Sequence, residues 1–265
     1  MGETSYRTIH REQHHFGWDN SIAPVMEAAP GDEIEFEVID ASGAQFSPES
    51  TAADVAQLDF ERVNPVAGPV RIDGAEPGDA LEIEVIDFAP SDWGWTAIIP
   101  GFGLLADDFT DAYMHISHYD GKRVEFTPDI HLPTRPFTGT IGVAPAEPGR
   151  HSVVPPRRVG GNMDLRDVVR GAKLLLPVEV PGALFSVGDT HAAQGDGEVC
   201  GTAVETAMNV RLRFGLRKGA GIRRPQIELP GSSVGRADSA GYYITTGIGS
   251  DLMQAARDAI CDMID

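Results

Sequence analysis

The sequence predicts a mainly β protein with few helices. Two similar segments carry this prediction: EIEFEVID follows the Pro-Gly-Asp of residues 30–32, and ALEIEVID follows the Pro-Gly-Asp of residues 77–79. Apolar and charged residues alternate in both segments, which is the period of a strand with one buried face, and each Pro-Gly pair favours a turn before the strand. We therefore expect both segments to lie in a stack of antiparallel strands.

Shorter elements make up the rest of an N-terminal β-rich part, residues 1–126. Residues 112–119 and 123–126 are predicted to pair across Asp120-Gly121, because Asp-Gly favours a hairpin turn. The other expected elements are a helical turn within residues 50–60, a strand over 66–72, and a structured loop over 89–105, which is rich in Trp, Gly and Pro.

Residues 127–160 are predicted to be a Pro/Gly-rich connection to a C-terminal part, residues 161–265, all within one intimate unit. Prolines exclude a central strand or a helix from most of this connection, although residues 137–143 can form a strand. Further strands are expected over residues 174–180, near the end of 202–214, and over 241–247. A C-terminal helix is expected from the cap Ser250 to Ile264, with an apolar stripe of Leu252, Ala255, Ala256, Ala259 and Ile260.

The composition excludes several classes of protein. The chain has 265 residues, a net charge of −19 and three lysines, so its surface repels nucleic-acid phosphates and suits a medium of high ionic strength. No apolar run is long enough to cross a bilayer, and the N-terminus lacks a signal-peptide pattern, so we expect a cytoplasmic protein with no membrane partner. Cys200 and Cys261 are too far apart to be a disulfide framework.

The segment Leu184–Glu205 is the strongest candidate for a functional site. It starts as an apolar run and then places five polar side chains on a glycine-rich turn: Asp189, His191, Gln194, Asp196 and Glu198. The glycines let the backbone fold tightly enough for these side chains to converge. Acids beside an imidazole suit metal binding or acid–base chemistry.

Two further clusters share this composition, namely His14/His15 with Asp19, and Asn162 with Asp164. We expect the fold to bring all three clusters to one divalent-metal site. Mixed imidazole and carboxylate ligands suit Zn²⁺ or another borderline ion, with Ca²⁺ as a second candidate. The expected ligands are His15, Asp19, Asp164, Asp189 and His191.

A carboxylate left free of the metal would deprotonate a water that the metal activates. Glu198 is the candidate for this general base, and Glu205 is in reserve. A second hypothesis uses Cys200 as a covalent nucleophile, with Glu198 as base and Lys173 as the nearest lysine in the sequence. A third is a noncatalytic β-sandwich that binds a sugar or another ligand through the loop carrying Trp93 and Trp95.

These residues lie in segments that resemble the acetamidase/formamidase family. The matching pieces are HFGWDNSIAPVMEAAPGD at residues 15–32, a long block at 149–206, and ITTGIGSDLMQAA near the end. The resemblance implies β-sandwich or jelly-roll-like and barrel-like parts with a small α/β element. It also implies a metal-binding amidohydrolase that cleaves short aliphatic amides to carboxylate and ammonia and forms a homo-oligomer, with a dimer as the first expectation.

Matched residue by residue, the resemblance also covers Trp18, Gln194 and Asp196. We therefore expect Glu198, Asp196 and Gln194 to be the catalytic groups. The residues expected beside the substrate or behind the metal ligands are Trp18, Asn162 and Glu205.

Overall fold

Two β-sheets form the part of the chain that the structure, a computed structural model, describes: residues 6–231 and 240–265. Strands are numbered here in chain order. The first sheet has seven strands in the order β1 (Arg7–Ile9), β4 (Glu33–Val38), β16 (Met208–Arg217), β6 (Ala80–Pro90), β13 (Lys173–Pro177), β17 (Gln226–Leu229) and β18 (Tyr242–Thr245).

The second sheet has eleven strands, and most of the candidate site lies on it. Its main order is β10 (Ile130–Pro133), β9 (Arg123–Thr127), β8 (Tyr113–Tyr119), β7 (Trp93–Ile98), β15 (Val204–Glu205), β14 (Phe185–Ala193), β11 (Phe137–Val143) and β12 (Gly160–Asn162). Strand β5 (Val66–Ile72) also pairs with β14, and it carries β2 (His14–His15) and β3 (Met26–Ala28). Within the described ranges all strand pairs are antiparallel except β1–β4 and β3–β5.

The inner faces of the two sheets share one apolar core. Phe36 and Phe214 from the first sheet meet Phe185 from the second, with ring centroids 5.1–6.4 Å apart and edge-to-face geometry. All three side chains are fully buried. Large aromatic rings in such contacts contribute strongly to a core. The fold is therefore a mainly β sandwich, as the alternating segments predict, and no closed barrel forms among the described strands.

The two similar segments form β4 and β6, but they are not neighbours. Both pair antiparallel with β16, which lies between them and places Val210 opposite Phe36 and Phe88. Each segment keeps its alternating apolar residues buried, as the pattern predicts, and Ile86 at the end of the second segment is half-buried. The two segments alone do not reveal that β16 pairs with both of them, because β16 begins 118 residues after the end of β6.

Most of the short elements are confirmed: β5, the β8–β9 hairpin, β13 and β18 match the predicted segments, and α1 (Ala52–Val55) lies in the predicted helical turn. A 3₁₀ turn follows at Phe60–Arg62. The prediction of a loop over residues 89–105 is wrong in part, because this segment contains β7. The prolines of the 127–160 connection lie outside β11, which is buried at every position. The three-part division stays a prediction, and both sheets take strands from its first and last parts.

The C-terminal helix α2 (Leu252–Ile264) is confirmed, but its cap and its orientation differ from the prediction. The carboxylate of Asp251, rather than Ser250, accepts the backbone N–H of Gln254. Leu252 and Ile260 of the predicted stripe are 86% and 61% exposed. The opposite face packs inward because its acids bind arginines: Asp258 with Arg224, and Asp262 with Arg223 and Arg224. No helix within the described residues is long and apolar enough to cross a membrane.

Candidate active site

Strand β14 is the structural centre of the candidate site. All nine of its residues are buried, since β5, β11 and β15 flank it and the first sheet covers it. A strand buried on both faces is normally apolar throughout. Here the buried residues include Ser186, Asp189, Thr190 and His191. Buried polar groups of this kind need partners, and these partners define the site.

His191 lies among three carboxylates. Its Nε2 is 3.2 Å from Oδ1 of Asp189, 3.1 Å from Oε2 of Glu205 and 4.0 Å from Oε1 of Glu198. The antiparallel register of β14 and β15 places Glu205 directly opposite His191. The loop between these two strands carries Glu198 back to the same point.

Asp164 completes a cluster of four carboxylates and one imidazole. Ligand atoms of Asp164, Asp189 and His191 lie within 4.8 Å of one another, and so do those of His191, Glu198 and Glu205. Asp164 and Asp189 both have left-handed backbone conformations, with φ of 49° and 53°. Aspartate adopts this region more readily than most residues. We call these five residues the acidic cluster.

Three carboxylate oxygens of the acidic cluster are buried without a well-directed hydrogen bond: Oδ1 of Asp164, Oε1 of Glu198 and Oε2 of Glu205, the last of which lies near Nε2 of His191 at 3.1 Å. Gly139 on β11 leaves space beside them. A Cβ at this position would lie 2.5 Å from Oδ1 of Asp164 and 2.8 Å from Oδ2 of Asp189. Buried carboxylates need a compensating positive charge, so the residues present fit a divalent cation.

The electrostatics of the acidic cluster reflect this shortage of positive charge. Burial and the neighbouring Glu205 and Asp164 raise the pKa of Glu198 to about 10. Burial and Asp189 raise the pKa of Asp164 to about 7. Burial raises the pKa of Glu205 to about 7 although His191 opposes the shift. The chain alone therefore holds protons on these acids near neutral pH.

The imidazole and one carboxylate shift in the opposite sense. Burial alone would lower the pKa of His191, but Glu205 and Asp189 outweigh it and raise the pKa well above its ordinary value. Burial alone would raise the pKa of Asp189, but His191 and several hydrogen bonds outweigh it and lower the pKa. Within the acidic cluster, Asp189 and His191 thus form the charged pair.

Gln194 fixes the orientation of the imidazole. Its Nε2 donates to the backbone oxygen of Asp164 at 2.9 Å, so its Oε1 faces Nδ1 of His191 at 2.8 Å. Because an amide oxygen only accepts, Nδ1 carries the hydrogen and Nε2 is turned toward the carboxylates. A partner of this kind is typical behind a metal-binding histidine.

Asp189 is held by a second group of polar side chains. Its Oδ2 accepts from the hydroxyl of Thr140 at 3.1 Å and from Nδ2 of Asn64 at 3.3 Å. The single hydroxyl hydrogen of Thr140 is shared with Oδ1 of Asn162 at 2.6 Å, and Nδ2 of Asn64 also donates to this oxygen at 3.0 Å. Nδ2 of Asn162 in turn donates to the backbone oxygen of Val154. Asn162 thus lies behind Asp189, one of the predicted metal ligands, and its role there stays a prediction.

A cavity of about 50 Å³ opens on the acidic cluster. Asp189, Glu198 and Glu205 line it together with aromatic side chains that include Trp95 and Phe102. A volume of this size holds only a few water-sized groups. The cavity combines several acidic oxygens with apolar sides, which suits a very small polar molecule.

The structure does not bring His15 or Asp19 to the acidic cluster. His15 donates from Nδ1 to the Gly17 oxygen at 2.7 Å, and its Nε2 accepts the hydroxyl of Ser186 at 2.9 Å. Ser186 is five residues, about 16 Å of extended strand, from His191. Asp19 accepts both the backbone N–H and the hydroxyl of Ser21.

Trp18 and Asp196 also lie away from the cluster. Trp18 is 2% exposed and packs with Val66 and Val153 in a small separate core. The side chain of Asp196 is 82% exposed and pairs with Arg166 at 2.9 Å. Trp18 was expected at the site from the family resemblance, and Asp196 from its place on the glycine-rich turn as well. The turn at residues 194–198 instead directs Glu198 inward and Asp196 to the surface.

The groups needed by the other two hypotheses are not assembled. Lys173 lies in the first sheet and pairs with Glu82 at 3.0 Å, so it is not available to Cys200. The thiol of Cys200 instead contacts the oxygen of Thr202 at 3.4 Å. Trp95 is 2% exposed and donates to Asp40, and Trp93 is partly buried against the same apolar cluster, so the two rings do not form an open platform for a sugar.

Three contributors to the site were missed in the sequence: Asn64, Gly139 and Thr140. Gly139 and Thr140 belong to TGT inside the Pro/Gly-rich connection. A polar or glycine residue in the middle of a predicted strand was the available signal, since such residues mark close approaches or buried polar groups. Asn64 carries no comparable signal, because it is isolated in its segment.

Known proteins that are similar to this chain belong to one family. The profile of the Acetamidase/Formamidase family matches residues 3–153 and 146–265. Formamidase of Methylophilus methylotrophus is 28% identical over 278 residues, which cover 82% of this chain and 67% of that protein. Acetamidase of Mycolicibacterium smegmatis is 27% identical over 285 residues, which cover 82% of this chain and 70% of that protein.

Solved structures show the same similarity in three dimensions. A predicted acetamidase/formamidase from the thermophile Thermoanaerobacter tengcongensis has a TM-score of 0.88 at 31% sequence identity, covering 98% of this chain and 82% of that one. The family profile and this structure both extend over the two sheets and the segments that carry the acidic cluster. The chain therefore belongs to the Acetamidase/Formamidase family of hydrolases, which act on amide bonds.

Proposed function

We propose that this protein hydrolyses short aliphatic amides such as formamide and acetamide to the carboxylate and ammonia. The observation that carries the proposal is the acidic cluster at the end of a cavity of about 50 Å³. Formamide has three heavy atoms and acetamide four, so both suit a space of a few water-sized groups. The names of the formamidase and acetamidase relatives support the same substrate class.

A divalent ion is the proposed cofactor, with Zn²⁺ as the first candidate and Ca²⁺ as the second. The imidazole of His191 and the carboxylates of Asp164, Asp189 and Glu205 would hold it. When bound, such an ion offsets the repulsion among the carboxylates, polarises an amide carbonyl and lowers the pKa of water. The three buried oxygens without well-directed hydrogen bonds support this assignment.

Glu198 is the proposed proton carrier. Its carboxyl group lines the cavity and its side chain is 14% exposed, so it can reach substrate while remaining largely shielded from bulk water. With a cation bound beside the acids its pKa would fall, and the ionised carboxylate takes a proton from the attacking water as the carbonyl carbon is attacked. It then returns this proton to the nitrogen as the C–N bond breaks, so that ammonia leaves.

Gln194 and Asn162 act through other residues in this proposal. Gln194 holds the imidazole of His191, and Asn162 holds Thr140 and Asn64 against Asp189. Both roles are positional, since neither side chain needs to exchange a proton. The exposed Asp196 has no assigned step.

Ammonia release from formamide, acetamide and propionamide is the direct test. Wild-type protein should release ammonia from the two smallest amides, and dialysis against a chelator followed by Zn²⁺ or Ca²⁺ should remove and restore the activity. No release from any of the three would refute the proposal. A protein that is fully active and free of metal by elemental analysis would refute the role of the ion.

We also propose that the protein forms a homo-oligomer, with a dimer as the first candidate, and that it is located in the cytoplasm. The exposed apolar face of α2, which includes Leu252, Met253 and Ile260, supports self-association. Molar mass by light scattering tests this directly. A monomer at micromolar concentration in both low and high salt would contradict it.

A further inference from the structure

A wide apolar groove lies next to the small cavity of the candidate active site. The groove has a volume of about 410 Å³, compared with about 50 Å³ for the cavity. Phe102, Glu198 and Thr202 line both spaces, whereas Leu105 and Phe109 line only the groove. These first three side chains therefore form the wall between the two spaces.

Of these three side chains, Phe102 is the one that neither belongs to the acidic cluster nor bonds to the backbone. Glu198 belongs to the acidic cluster, and the hydroxyl of Thr202 bridges the backbone N–H and oxygen of Ala97 at 3.0 and 3.1 Å. Phe102 instead contributes an aromatic ring, which packs edge-to-face with Phe60 at 6.2 Å between centroids. It is the apolar side chain that lines both the cavity and the groove.

The fold fixes this ring firmly in place. A Cβ at Gly201 would overlap the ring of Phe102, so glycine is needed for the ring to lie on the backbone there. Gly103 also lies close to the carbonyl carbon of Cys200, since a Cβ there would lie 2.8 Å from it. The N–H of Leu104 donates to the oxygen of Val199 at 2.9 Å. These contacts bind the loop of Phe102 to the loop of Glu198.

We propose that the ring of Phe102 determines the substrate chain length by closing the small cavity against the apolar groove. This inference rests on the proposed amide hydrolysis and adds the residue that limits the acyl group. Acyl chains of one or two carbons fit in front of the ring. Longer chains need the space that the ring separates from the acidic cluster. Removing the ring joins the two spaces and admits linear amides whose alkyl chains extend into the groove.

The test compares kcat/KM for acetamide, butyramide and hexanamide in wild-type protein, Phe102→Ala and Phe102→Leu. One methylene in an apolar pocket is worth about 10- to 200-fold in kcat/KM. We therefore expect the ratio of hexanamide to acetamide to rise at least about 10-fold in Phe102→Ala, with a smaller rise in Phe102→Leu. Phe109→Ala is the matched control, because it enlarges the groove without opening the wall, and its ratio should equal that of wild type.

The outcomes separate this inference from the proposed function. Wild-type protein that cleaves none of the amides refutes the proposed function itself. Wild-type protein that cleaves acetamide but gains no longer substrates in either Phe102 variant refutes the role of the ring. Equal wild-type activity on hexanamide and acetamide refutes it as well. Circular dichroism identifies a misfolded Phe102→Ala, in which case the milder Phe102→Leu decides.

Discussion

Charged residues are concentrated on the outer face of the first sheet and in the acidic cluster of the second. The two regions differ in how many cations their carboxylates contact. On the first sheet, Arg217 on β16 binds Glu82 and Glu228 on the strands beyond it, and Lys173 also binds Glu82. Arg213 likewise joins Glu33 to Glu84. Each of these carboxylates faces a permanent cation.

In the acidic cluster, four carboxylates share a single imidazole, and three of their oxygens accept no well-directed hydrogen bond. The difference appears in the pKa values. Burial alone would raise the pKa of Glu82, but Arg217 and Lys173 outweigh burial and lower it. Among the described residues no arginine or lysine pairs with Glu198, and its pKa rises to about 10. Within the described chain, this shortage of positive charge distinguishes the proposed site from the paired carboxylates of the first sheet.

The strongest test of this comparison replaces one glutamate by glutamine in each of the two regions. Glu198→Gln should lower kcat for acetamide by about 10²–10⁴-fold, because it removes the proton carrier. Its stability should not fall, since it removes a buried carboxylate without a full set of partners. Glu82→Gln should keep the activity, because Glu82 lies in the other sheet. Unchanged kcat in Glu198→Gln would contradict the assignment.

A smaller effect is expected from filling the space beside the cluster. In Gly139→Ala the new methyl group would collide with Asp164 and Asp189, and a displacement of about 1 Å in an active site can cost about 10²-fold in activity. Gly197→Ala is the control, because nothing lies within 4 Å of a Cβ there. Steady-state kinetics with acetamide measure both. Equal losses in the two variants would show that the space beside the cluster has no special role.

Metal binding should change stability as well as activity. An ion that binds only the folded protein stabilises it by about 2.7 kcal/mol at a concentration 100 times its Kd. Thermal unfolding of chelator-treated protein, with and without added Zn²⁺, measures this shift. The shift should disappear in His191→Ala and persist in Glu82→Gln. A Tm that changes with neither Zn²⁺ nor the chelator would contradict the proposed metal binding.

The smallest expected effect concerns Glu82, whose carboxylate pairs with cations on the first sheet. The pKa of Glu82 is lowered in the folded protein, so its contribution to stability is present above the ordinary pKa of glutamate and is lost as the pH falls through the folded value. Glu82→Gln should therefore lower the free energy of unfolding at pH 7 by less than about 1 kcal/mol. The difference from wild type should shrink below about pH 4. Urea denaturation at several pH values gives these free energies, and a difference that grows on acidification would contradict the ion pair.

Local patterns in the sequence determined much of the fold and part of the site. Alternation and turn residues are short-range signals, and they located β4, β5, β6 and the β8–β9 hairpin. The change from apolar to acidic residues within 184–205 marked Asp189, His191 and Glu198. These features depend on neighbouring residues, whose periodicity is set by the geometry of a strand.

Only the tertiary structure decided which groups meet. The register of β14 with β15 placed Glu205 at His191, whereas β2 carried His15 to Ser186 instead. Spacing could not reveal either outcome, because strand partners are chosen by packing across the whole sandwich. The same holds for Phe102, whose ring meets the loop of Glu198 almost a hundred residues later. The sequence supplied the chemical groups of the site, and long-range pairing selected those that share one buried point.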